Sequence, residues 1–147
     1  MKEKLAMSQV NIVPSNTLNF TSRRSPVLVR NGAVCSSQPM ASAAGLEILQ
    51  AGGNCVDACI AVAAALTVCE PMSTGIGGDC FCLYYNSDED HVYGLNGSGK
   101  SPQNLSLSSL PSELLNEPTL PQDSCHAVTV PGTVAGWCDT LEVSYFF

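Results

Sequence analysis

The chain has 147 residues, 45% of them apolar, enough to bury a core in one compact domain or one piece of a larger one. Charged residues make up only 13%, against roughly 25% in an average soluble domain, which fits a piece that lies largely against other protein. The net charge is −7, and the six Lys and Arg form no stripe that could neutralise phosphates, which argues against a nucleic-acid-binding role.

Residues 1–25 read as a disordered polar leader. Before Phe20 they hold no apolar run long enough for a signal peptide or an anchor. The runs Pro26–Arg30 and Gly32–Ser36 are rich in β formers and flank Asn31–Gly32, a hairpin signal. Ser36 or Ser37 then caps a helix predicted over Pro39–Ala51, with Pro39 tolerated in its first turn and Gly52–Gly53 stopping it. Asn54 opens a second helix, with Asp57 near the positive end of the dipole. From Cys55 to Cys69 nearly every residue is apolar, the pattern of a helix buried on all sides. It is shorter than the ~20 residues a membrane span needs, so no membrane association is expected. Glu70–Pro71 ends it, because the residue before proline resists helical dihedrals.

A polar, glycine-rich loop follows over Pro71–Asp79. Cys80–Tyr85 and His91–Leu95 alternate as strands joined by the acidic turn Asn86–Asp90, and Asn96–Gly97–Ser98–Gly99 reads as a further tight turn. Ser101–Gln122 is Pro- and Ser-rich, with a short helix predicted over Leu110–Leu115. Ala127–Val130 reads as a strand, and a last helix begins near Thr133, runs through Trp137 and Leu141, and stops at the bulky tail Val143–Phe147. That tail is unlike an ordinary docked or polar terminus, and a truncated chain is expected. The predicted organisation is a leader (1–25), a folded part (26–142) and an atypical tail (143–147).

Eight cysteines, at 35, 55, 59, 69, 80, 82, 125 and 138, invite disulfides, but three lie in the apolar run and read as small buried hydrophobes. There is no CxxC, and neither His91 nor His126 has zinc-site spacing with a cysteine pair, so no metal and no other cofactor is expected. Reduced thiols and the absence of a signal suggest a soluble, cytoplasmic protein. The loop Thr74–Asp79 could turn amides toward an anion, but it leads into a strand and lacks both GxGxxG and the Gly-Lys-Ser/Thr of a phosphate loop. Trp137 reads as core, His126 as a core-edge residue, and Glu70 and Asp79 as structural carboxylates flanking the loop.

Four segments stand out together: Ser36–Ser42, Gly52–Ala58, Glu70–Asp79 and His126–Trp137. In this order and spacing, over about Pro26–Glu142, they resemble the large-subunit region of γ-glutamyltransferases, also called glutathione hydrolases, whose precursors cut themselves. The resemblance implies an α/β (α+β) chain forming part of the four-layer αββα sandwich of N-terminal-nucleophile hydrolases. It also implies a reaction in which a freed N-terminal Thr attacks a γ-glutamyl amide such as glutathione. Its own α-amine takes the proton, and an acyl-enzyme passes to water or an amine. No Thr here stands in the family's nucleophile context, so no catalytic residue is carried over, and the remainder of the proenzyme is the expected partner. The family's Arg that grips the substrate carboxylate is matched, by register from Pro102, by Ser98, and Lys100 is the nearest cation. In this the chain resembles the acylase-like branch. Two other readings stand beside this one: a non-catalytic short form acting as an interaction or regulatory module, and an autonomous thiol or metal protein.

Overall fold

The computed structural model describes residues 25–116, 118–121 and 123–145, with side chains in the last helix through residue 142. The expected leader therefore lies outside the described residues except for Ser25, as do Phe146 and Phe147 of the expected tail. Two units divide the chain after Arg30. Residues 25–30 of the first are irregular and exposed.

The second unit begins with two helices. Helix α1 (Pro39–Gln50) starts as predicted, but its cap is Gln38, which makes no side-chain cap bond. Ser36 instead donates to the Gln38 carbonyl at 2.8 Å and meets the Ser42 hydroxyl at 2.6 Å. The helix ends in a Schellman turn. Gly53 N–H donates to Ile48 C=O at 3.0 Å and Gly52 N–H to Leu49 C=O at 3.1 Å, with Gly52 at φ +93. Helix α2 (Cys55–Cys69) opens with a full capping box. Asn54 Oδ1 accepts from Val56 and Asp57 N–H, and Asp57 accepts from Asn54 N–H at 2.9 Å.

Strands β1 (Cys80–Asn86) and β2 (His91–Gly97) form an antiparallel hairpin with Cys82 opposite Leu95 and Tyr84 opposite Tyr93. Both strands outrun their sequence limits, and Asn96–Gly97, predicted as a turn, belongs to β2. Asp90 closes the loop at φ 50 and accepts from the Tyr85 hydroxyl at 2.9 Å. Alternation turns Cys80, Cys82 and Tyr84 inward and leaves Phe81, Leu83 and Tyr85 exposed. Beyond the hairpin come a 3-10 turn (Leu107–Ser109), the short α3 (Ser112–Leu115) and a second 3-10 turn (Cys125–Ala127). Where Ala127–Val130 was predicted as a strand, pairing shrinks to one bridge between Val130 and Lys100. Helix α4 (Thr133–Tyr145) continues past Val143, where the sequence predicts its stop.

Helix α1 packs on α2, α4 touches α2, and α4 lies across the inner face of both strands. Small residues allow this approach: a Cβ on Gly45 would meet Val34 at 2.9 Å and the Ala58 carbonyl at 3.2 Å. Among the described residues the buried apolar side chains are Ala41, Val56, Ala58 and Val62. This corrects two expectations. Helix α2 is not buried all round, since Val68 is 80% exposed, and Cys55 and Cys59 are exposed as well. Residues 26–30 and 32–36 form no strands, because a lone hairpin is too weak without further strands or a covered face.

Candidate functional site

Three of the four motif segments that stood out in the sequence are joined by named bonds. The Gly78 carbonyl accepts from Gly132 and Thr133 N–H, both at 3.0 Å, joining the glycine loop to the start of α4. Asp79 Oδ1 accepts from Gly99 N–H at 2.6 Å, and the Lys100 carbonyl accepts from Val130 N–H at 2.8 Å. The glycine loop, the stretch after β2 and the entry to α4 thus form one junction. Across the molecule, Ser37 Oγ donates to the Glu70 carboxylate, tying the segment before α1 to the start of the loop.

Glu70 and Asp79 have different partners and do not act as a pair. The Ser37 hydroxyl, aided by Gln38 and Ser73 and opposed by partial desolvation, holds the Glu70 carboxyl below its ordinary 4.5. A depressed folded-state pKa gives stability that is present above the unfolded value and is lost as pH falls through the folded one. The thermal midpoint of the native chain should therefore fall more steeply below pH 4.5 than that of Ser37→Ala, in paired melting series across that range.

Ser98 and Lys100, the substrate contacts expected from sequence, line one open groove of about 370 Å³ with Val130, Gly132, Gly136 and Asp139. Both are exposed. Ser98 is set by its N–H on Asn96 Oδ1 at 3.0 Å, and Lys100 by its backbone bridge to Val130. Sequence reasoning missed Asp139. The signal was there: Gly132, Ala135, Gly136 and Asp139 recur at helical spacing, a small-residue face ending in a carboxylate. Trp137, expected in the core, is half-buried and lines a second cavity with Thr74, Gly75, Gly78 and Thr133. His126 sits half-buried in its 3-10 turn, and His91 packs edge-on against Tyr93 at 4.7 Å.

The interior threonines are all engaged with main chain. Thr67 donates to Ala64 C=O at 2.7 Å, Thr74 to Glu70 C=O at 3.2 Å, Thr133 to Gly75 C=O at 3.4 Å and Thr140 to Gly136 C=O at 2.6 Å. Among the described residues no group of three or more His, Cys, Asp or Glu is arranged to hold a metal ion, and no helix is long and apolar enough to cross a membrane.

The family model of gamma-glutamyltranspeptidase matches residues 41–143, which take in the segments Gly52–Ala58, Glu70–Asp79 and His126–Trp137 whole. The chain belongs to the gamma-glutamyltranspeptidase family. Within that family it is similar to the acylase ACY 1 proenzyme of Pseudomonas sp. (strain V22), at 38% identity over 84% of this chain and 23% of that protein. It is similar also to the glutathione hydrolase-like YwrD proenzyme of Bacillus subtilis (strain 168), at 41% identity over 74% and 20%. The cephalosporin acylase of Bacillus halodurans superposes with a TM-score of 0.72 and 42% identity, over 86% of this chain and 23% of that one. The gamma-glutamyltranspeptidase-family chain therefore spans less than a quarter of these relatives. Its helices and two-stranded sheet are part of the α/β, N-terminal-nucleophile hydrolase sandwich, and the acylase-like branch resemblance holds.

Proposed function

We propose that these residues are a scaffold portion of a proenzyme that hydrolyses or transfers γ-glutamyl or acyl amides through an N-terminal Thr acyl-enzyme, and that alone they turn nothing over. The engagement of Thr67, Thr74, Thr133 and Thr140 with main-chain carbonyls carries this reading: none is a free, activated nucleophile. Release of the anilide from a γ-glutamyl anilide by the purified chain should stay at the buffer rate. Turnover that survives purification to homogeneity would remove the reading.

The substrate preference we infer is an acyl amide rather than glutathione. Ser98 stands where a bidentate arginine would grip an α-carboxylate, and a serine offers no charge for it. The named similarities to acylase proenzymes point the same way. Lys100 then acts as a point charge for anionic acyl groups. In an assembled proenzyme, Lys100→Ala should raise KM about tenfold for a carboxylate-bearing acyl anilide, the loss of one charge-assisted hydrogen bond, and leave a neutral one unchanged. Equal KM values for the two substrates would refute that role. A cytoplasmic setting, where thiols stay reduced, accords with eight free cysteines. Recovery of the chain with a secreted marker on cell fractionation would contradict it.

A further inference from the structure

Cys55 and Cys59 are one helical turn apart on α2, and both are exposed. At about 100° per residue, Cys59 lies between Cys55 and Val56 around the helix axis. Val56 and Cys82 line the same small cavity, of about 90 Å³, between α2 and the inner face of the hairpin. Cys59, three residues on from Val56 and beside it on the helix surface, thus flanks the face of α2 that is turned toward Cys82. Cys80, the other inward cysteine, is already committed: its Sγ donates to the Thr133 carbonyl at 3.5 Å, and Gly136 packs against it. Cys35, Cys125 and Cys138 lie on other segments and are exposed.

We propose that Cys59 and Cys82 form a hydroperoxide-responsive dithiol that, when oxidised, links α2 to β1. The two members differ in the way such a pair requires. Cys59 is open to solvent and reagents. Burial first, then the neighbouring Cys59, Cys80 and Cys55 sulfurs, push the Cys82 thiol up, so it stays protonated and does not compete for the oxidant. The Cys59 thiolate attacks one peroxide oxygen. The O–O bond breaks, the other oxygen leaves with a proton as water or alcohol, and Cys59 becomes a sulfenic acid. The Cys82 sulfur then attacks the Cys59 sulfur, the S–O bond breaks, and the hydroxyl leaves with the Cys82 proton as water. One peroxide is reduced and two thiols become one disulfide.

The test is hydrogen peroxide treatment of the full chain at low protein concentration, followed by alkylation and disulfide mapping by mass spectrometry. The expected result is loss of two thiols per chain and one linked peptide joining Cys59 to Cys82. Because Cys59 is exposed, Cys59→Ser keeps the fold and abolishes the link, while Cys125→Ser and Cys138→Ser retain it. Cys82→Ser should instead accumulate a sulfenic acid on Cys59 that a β-diketone traps. A link from Cys55 to Cys82, links scattered over Cys35, Cys125 and Cys138 or between chains, or a chain that stays fully reduced would each overturn the proposal.

Discussion

Gly132→Ala should destabilise the folded chain by on the order of 3 kcal/mol, the cost of forcing an extra methyl into a fully packed contact. The added Cβ would meet the Gly97 carbonyl oxygen, the Gly97 carbonyl carbon at 3.0 Å and the Gly99 nitrogen at 3.1 Å. All three are backbone, so no flexible side-chain end can swing aside. Relief requires the entry to α4 to move off β2. That movement breaks the bonds from Gly132 and Thr133 N–H to Gly78 C=O, and with them the junction of the glycine loop with the entry to α4. Gly77→Ala is the control. Nothing lies within 4 Å of its added Cβ and its φ is not positive, so a change within about 0.5 kcal/mol is expected, as for an ordinary surface substitution. Urea melts of the two variants beside the native chain measure the difference, and equal midpoints would show that the junction is not tightly packed.

The folded chain should also bind a hydrophobic dye strongly and associate with itself at micromolar concentration. The outer face of the hairpin shows why. Phe81, Leu83, Tyr85 and Val92 are 70%, 81%, 56% and 55% exposed on adjacent strands, a contiguous apolar surface of the kind that marks an interaction face. The low charge content leaves little to oppose association. Replacing Phe81 and Leu83 together by serine should remove most of the dye signal and much of the association. It should barely change the melting midpoint, because neither side chain is in the core. A dye signal unaltered by the double substitution would place the exposed apolar surface elsewhere.

Local signals in the sequence were legible where chain geometry is decided within a few residues. Asn54 and Asp57 specify a capping box from their own spacing, and Gly52–Gly53 specify the Schellman turn because only glycine takes φ +93 without strain. The alternation in Cys80–Tyr85 fixed which side chains face inward. What was not legible depends on what covers each surface. The uniform apolarity of α2 reads as burial on all sides, yet Cys55, Cys59 and Val68 remain open. The same dependence defeats the predicted hairpin at residues 26–36, whose strands find no third strand to support them. Ser98 was expected from register with a family motif, and Lys100 as the nearest cation. Asp139 was missed because its membership of their groove arises only when α4 crosses the strands.

As proposed, these residues build a framework for amide cleavage without supplying the attacking group. Intact-mass measurement after prolonged incubation with a γ-glutamyl anilide and, separately, a simple acyl anilide tests it most directly. The account predicts a single unmodified mass in both cases. A stoichiometric acyl adduct on Thr133, or on any other hydroxyl or thiol of the folded chain, would contradict it.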